Sequence, residues 1–397
     1  MKTTLKNLTI LLIAIAFILI LAGSVNAATP VTDEVSLRTA LENGESVILQ
    51  NEITITSKTT HPSATSRNRA AIAVQANSVT NEVIIDGNGN KISTSTIPTI
   101  FEIYGGSTVI FKNITIENTA GGGRVIDTRV NVKLILDNVN LKTTKTISAD
   151  HDQTLTIGGS FEDEMTVEIK NSKISAGVAG YGIISFNKVN LTITNSEVSG
   201  YGALYMKDGS EGSNIKIKNS VMKSELNSDE PSNSFGTIAI EDNNIEIIVE
   251  DSKILATGTG STPQIPFGED VSITGNKFTV SGNSELVGKG GIFETNTNAT
   301  ITVHSEVTSN LQIPQEYLAQ GTIIKEVNGE FVIEEEKTVE DKKEENETLT
   351  DDKTNSVEPE KLEKDDTPKM GSNMISVYAI IALVSLVAVV AVKRYNA

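Results

Sequence analysis

Residues 180–198 read Gly180-Tyr181-Gly182-Ile183-Ile184-Ser185-Phe186-Asn187-Lys188-Val189-Asn190-Leu191-Thr192-Ile193-Thr194-Asn195-Ser196-Glu197-Val198. A second run of the same order follows, from Gly200-Tyr201-Gly202-Ala203-Leu204 to Asn214-Ile215-Lys216-Ile217-Lys218-Asn219-Ser220-Val221-Met222. Each copy holds a short apolar run, a turn, a strict alternation, an Asn and a further strand-like piece. Three short strands closing in about two dozen residues mark one coil of a β-solenoid. In such a coil Leu191 and Ile193 point inward while Thr192 and Thr194 face water.

The alternation and its Asn recur along the chain. They appear as Val109-Ile110-Phe111-Lys112-Asn113, Leu134-Ile135-Leu136-Asp137-Asn138 and Val167-Glu168-Ile169-Lys170-Asn171, then at 191–195, 215–219, 245–251 and 278–283, and more weakly at 301–305. Asn113 and Asn138 stand 25 residues apart, and Asn171, Asn195 and Asn219 follow one another at 24. Intervals of 33 and 32 residues, from Asn138 to Asn171 and from Asn219 to Asp251, predict loops inserted at 144–153 and 228–234. Asn tolerates the unusual backbone angles of a sharp turn, and its amide can bond the Asn one coil away. Asn113, Asn138, Asn171, Asn195 and Asn219 are therefore expected to form a structural ladder.

Composition agrees with a thin, stacked core. Among 397 residues only 4% are aromatic, Trp and Cys are absent, and the formal net charge is −18. Stacked β-branched side chains suit that inventory better than a core built on large rings. Without Cys there is no disulfide, thiolate nucleophile or Cys-based metal site. The acidic balance argues against a nucleic-acid partner.

Both ends point to export. Residues 1–27 run from Lys2 and Lys6 through an apolar stretch to Ser24-Val25-Asn26-Ala27, the order of a signal peptide. Residues 375–392 are apolar apart from Ser376, Tyr378 and Ser385, and Lys393-Arg394 follows. Eighteen residues at about 1.5 Å each span roughly 27 Å, enough for a thin hydrocarbon core with the basic end in the cytoplasm. Thr367-Pro368-Lys369-Met370-Gly371 just before this span resembles a degenerate sortase sorting signal, with Pro368 and Gly371 in place. Thr367 and Met370 depart from its Leu and Thr. Wall attachment and a retained membrane anchor both fit these residues. Between them, 334–366 carries fifteen acidic residues against six lysines and no apolar face, which predicts an extended, disordered stalk.

Residues 34–43 read as an amphipathic helix with Val35, Leu37, Ala40 and Leu41, stopped by Gly44 and capping the solenoid end. With its Leu37-Arg38-Thr39-Ala40-Leu41 helix, the Gly44-Glu45-Ser46-Val47-Ile48-Leu49 strand and Val83-Ile84-Ile85-Asp86-Gly87-Asn88-Gly89, the opening resembles the pectate-lyase-like β-helix superfamily. The resemblance implies a right-handed single-stranded parallel β-helix in a bacterial, adhesin-like cell-surface protein. The expected organisation is therefore signal peptide 1–27, β-helix 28–333 closed by a hairpin or last coil at 321–333, stalk 334–372, and transmembrane anchor with basic tail 373–397.

The superfamily includes lyases and glycosidases whose sites lie on the outer face of the first strand of adjacent coils. Here those strands are expected at 100–103, 124–128, 182–186, 203–206, 237–240 and 291–294. Their charged residues are Glu102, Arg124, Asp127, Arg129, Lys207, Asp208, Glu241 and Glu294. Hydrolysis needs two suitably spaced carboxylates, and uronate elimination a base with a cation, commonly calcium. Asp127 with Arg129 comes nearest, with no second acid expected in register, so it reads as a surface pair. The histidines at 61, 151 and 304 lack metal-ligand spacing. Asp86-Gly87-Asn88-Gly89-Asn90 reads as a coil turn, since Lys91 replaces the Gly and Ile97 the Glu of a calcium loop. Tyr181, Tyr201 and Phe235 form either an internal stack or a sugar-binding platform.

No catalytic set, cofactor or metal is expected. The function expected is an exported adhesin or structural envelope protein, with a surface polysaccharide lyase or glycoside hydrolase as the alternative. Its partners would be the cell envelope and membrane, with a host or environmental polysaccharide or protein as ligand.

Overall fold

The computed structural model describes residues 28–336, apart from 63–69, 76–81, 106–107, 121–122, 130–131, 145–152, 159–163, 178–179, 226–235, 259–263, 271 and 295–296. The signal-like segment, the stalk beyond 336, the sorting-like motif and the apolar C-terminal segment lie outside the described residues. So do His151, Phe235, Pro368 and Gly371. Residues 334–335, expected in the stalk, belong to a strand. Among the described residues no helix is long and apolar enough to cross a membrane.

The fold is all-β, and its strands form parallel ladders of the kind a β-helix coils into. Tyr181–Ser185 pairs in parallel with Leu204–Met206, Val189–Thr194 with Asn214–Lys218, and Glu197–Gly200 with Val221–Ser224. The two copies at 180–224 are thus successive coils in register, each giving one strand to each of three ladders. The first ladder is an eight-stranded sheet of Ala70–Val74, Thr99–Ile103, Arg124–Thr128, Gln153–Ile157, Tyr181–Ser185, Leu204–Met206, Ile238–Ile240 and Phe267–Glu269. The second and third belong to one 21-stranded sheet, because Thr108–Asn118 and Lys133–Thr143 run unbroken round the corner between them.

Alternation builds the core as expected. Leu191 and Ile193 are buried, Thr192 is exposed, and their column continues through Val167 and Ile169 to one side and Ile215 and Ile217 to the other. First-ladder strands are buried on both faces, so Ala70–Val74 is apolar throughout, while Gln153–Ile157 alternates Thr with Leu and Ile yet buries Thr154 and Thr156 as well. Of the loop expected at 144–153 only the two end residues are described, and Gln153 opens the strand Gln153–Ile157; the loop expected at 228–234 lies outside the described residues. The strand expected at 291–294 is only a bridge, Phe267 to Phe293, inside an aromatic group with Phe278 and Tyr317.

Both ends are covered. The helix Glu34–Glu42 starts at Asp33, whose side chain accepts the Ser36 N–H at 2.8 Å, and buries Leu37, Ala40 and Leu41. Val35, expected on the apolar side, points to solvent at 69% exposure. Glu34 instead ties the helix to the first coil, accepting from Thr56, Ser57 and Arg38. At the other end Thr322–Val327 and Glu330–Glu335 form an antiparallel hairpin around Asn328-Gly329, both at positive φ as a tight hairpin turn requires. Its second strand pairs antiparallel with Thr308–Ser309, closing the third ladder and carrying ordered strand past Ile333 to Glu335.

Candidate functional site

Two polar regions stand out, one on the outer face of the first ladder and one at the corner between the second and third. On the first, parallel register stacks Ala73, Glu102, Asp127, Thr156, Ile184, Tyr205 and Ala239 in one outward column. Glu102 therefore stands directly beside Asp127, and the expectation of a lone surface Asp/Arg pair is corrected. Both carboxylates are fully buried. Arg129 Nη2 lies 2.9 Å from Glu102 Oε1 and 2.5 Å from Asp127 Oδ2, and Arg124 Nη1 adds a contact to the same Oδ2 at 2.6 Å. Tyr104 donates its hydroxyl to Glu102 at 2.6 Å.

Burial pushes the Asp127 carboxyl above its ordinary range, against the pull of Arg124 and Arg129. Arg129 is raised, because its neighbouring carboxylates outweigh its desolvation. The two shifts pull opposite ways on whether Asp127 is charged. Two guanidinium nitrogens on one oxygen decide for a carboxylate at neutral pH. Asp127 Oδ1 and Arg129 Nε are buried without hydrogen-bond partners. The two acids and two arginines balance in charge. What separates one acid from two is the register: Glu102 and Asp127 are 25 residues apart, the coil interval, and only counting coils from the Asn positions would have aligned them.

Tyr181 stacks on Tyr205 with ring centroids 4.7 Å apart and meets Tyr201 edge-on at 5.6 Å. With Ile184 and Ala239 these rings form a small buried cluster separate from the main core. They are therefore neither part of the interior stack nor an open platform. Burial and the carboxylate of Glu241, which accepts the Tyr205 hydroxyl, push that phenol far up. Lys207 lies 3.5 Å from Glu241 and 4.9 Å from the Tyr205 ring centre. Among the described residues no group of three His, Cys, Asp or Glu side chains is placed to hold a metal ion. Asp86 accepts the Asn88 N–H at 2.9 Å within its own turn and pairs with Lys112.

At the corner, Asn113, Asn138, Asn171, Asn195 and Asn219 all adopt the left-handed conformation, with φ between 48° and 54°. Asp251 at 49° and Gly282 at 61° continue the row. A β-branched or bulky residue there would strain the backbone, which is why Asn, Asp and Gly hold these places. The amide ladder is partial. Asn138 donates to Asn113 at 3.0 Å and Asn195 to Asn171 at 3.4 Å, but Asn171 reaches Asp137 rather than Asn138.

The continuous ladder is one residue further on, and it is made of serine. Ser172 N donates to Ser196 Oγ, Ser196 N to Ser220 Oγ, Ser220 N to Ser252 Oγ and Ser252 N to Ser284 Oγ, all at 3.0 or 3.1 Å. Each of these hydroxyls in turn donates to a backbone carbonyl of its own corner, at 2.6 or 2.7 Å. The repeated Asn-Ser dipeptide was the available signal.

Outside this buried row lies an open groove of about 800 Å³ lined by the five Asn side chains, with Lys173 and Glu197 paired on its rim at 3.0 Å. No protein-family model, curated protein or solved structure matches the chain.

Proposed function

We propose that this chain is an exported right-handed β-helix of the pectate-lyase-like superfamily that works by binding at the cell surface, as an adhesin or envelope component, without turning over substrate. The observation that carries this reading is the closed first-ladder face. Glu102 and Asp127 are buried under two arginines and a tyrosine, and an acid–base pair needs carboxylates that can reach a substrate proton. The leader-like 1–27, acidic 334–366 and apolar 375–392 support export and anchoring, with the Pro368/Gly371 motif as the point of attachment if the anchor is cleaved.

Protease shaving of intact cells that express the full chain tests the placement. Release of fragments from 28–336 is expected, and full protection in intact cells with cleavage only after lysis would sink it.

A second reading, a polysaccharide lyase or hydrolase, is favoured by one observation: two acids share one arginine, and one of them has an orphan oxygen. Incubating the full chain with uronate polymers while following unsaturated or reducing ends decides between them. Turnover abolished by Asp127→Asn would replace the first reading with the second.

A further inference from the structure

We infer that the corner groove binds a neutral linear polysaccharide lying parallel to the solenoid axis, an inference that rests on the surface-binding reading above. The groove follows five successive coils from Asn113 to Asn219, and at about 4.8 Å per coil its floor is about 19 Å long. That is the shape of a track for an extended polymer rather than a pocket for a small molecule.

Its chemistry is that of a hydroxyl binder. Each amide carries two N–H donors and a carbonyl with two lone pairs. The bonds from Asn138 to Asn113 and from Asn195 to Asn171 use one donor and one lone pair each, and Asn113 and Asn171 each give a further donor, to Asp86 and Asp137 respectively. All five side chains are exposed, so their remaining donors and acceptors are open to the groove. A sugar hydroxyl both donates and accepts, and can bridge such a row.

Charge selects among polymers. The outward column beside the groove is neutralised across coils, by Lys112 with Asp86 at 3.1 Å, Lys170 with Asp137 at 3.3 Å and Lys218 with Glu250 at 2.7 Å. These pairs leave that column no cationic excess to attract a polyanion, and a chain of net charge −18 repels one. The backbone beneath is already fixed by the left-handed corners and the serine ladder, so little ordering is left for binding to supply.

Affinity electrophoresis of the full chain in mild detergent tests this, with soluble neutral glucans, mannans and xylans as probes and polygalacturonate and heparin as anionic comparisons. Retardation by at least one neutral polymer, unchanged by added salt, is expected. The triple variant Asn138→Asp, Asn171→Asp, Asn195→Asp should weaken it at least tenfold. Asp251 shows that the corner conformation tolerates Asp, but the new carboxylates lose the bonds to Asn113, Asn171 and Asp137 and repel one another. A parallel triple Gly variant, for which Gly282 is the precedent in this chain, removes the amides should the Asp variant fail to fold.

Retention by polyanions alone, or neutral retention that survives both variants, overturns the inference. So does the absence of retardation by every neutral probe. If the variants still attach to envelope material as the parent does, the groove assignment falls while the surface-binding reading stands. If the parent binds neither glycan nor envelope, both fall.

Discussion

The outer face of the first ladder and the corner groove are both stacks of polar residues repeated coil upon coil, yet they end in opposite states. On the face, Glu102 and Asp127 are buried and their charge is spent on Arg124, Arg129 and Tyr104. At the corner all five Asn side chains remain exposed, and beside Asn171, Asn195 and Asn219 a serine satisfies the buried backbone. The difference teaches that periodicity alone does not make a binding surface. What decides is whether a neighbouring row has already consumed the hydrogen-bonding capacity.

Arg129→Met presses hardest on this contrast. It leaves two buried carboxylates with one remaining arginine, and loss of one partner of a buried ion pair costs about 3–5 kcal/mol. Denaturant unfolding should report a loss of that size; a change below about 1 kcal/mol would mean the face is open to water after all.

Ser196→Ala comes next. It removes the acceptor for Ser172 N and the donor to Thr194 O, and a buried backbone group left unsatisfied costs about 1–3 kcal/mol. The same measurement applied to exposed Thr192→Ala should show almost nothing, and equal losses would break the distinction between buried and exposed rows.

Asn195→Ala is smaller, about 1–2 kcal/mol, because the left-handed corner disfavours a Cβ without a local polar group. Asn195→Gly should sit within a few tenths of the parent. If Ala and Gly behave alike, conformation is not what keeps Asn at the corner.

The mildest effect is a pH dependence at the N-terminal cap. Desolvation raises the Glu34 carboxyl, but hydrogen bonds from Ser57 and Thr56, with Arg38, outweigh it and hold it at about 2. A carboxyl lowered on folding stabilises fully above its ordinary value near 4.5, and that share disappears as pH falls toward 2. Protection of the helix amides, taken relative to the intrinsic exchange rate at each pH, should fall over that window, and Glu34→Gln should flatten the dependence.

The ladders were legible because Leu191, Thr192 and Ile193 alternate and Asn195 recurs at a fixed interval, which are properties of single strands. The first ladder was harder to read, since its strands are buried on both faces: Ala70–Val74 shows no alternation, and Gln153–Ile157 buries the polar residues of its alternation too. The Glu102–Asp127 pairing and the serine ladder stayed hidden for a related reason. Each is a contact between coils, fixed by register, and Ser172 to Ser196 is invisible until the coils are laid side by side.

That serine ladder also makes the coil an exchangeable part. Ser172, Ser196 and Ser220 meet their neighbours in the same way, so excising residues 196–219 would present Ser172 N with Ser220 Oγ in place of Ser196 Oγ. Unequal recombination could lengthen or shorten such a gene by whole coils while leaving the helix at one end and the hairpin at the other untouched. How far the protein reaches would then be a quantity that evolution can adjust in fixed increments.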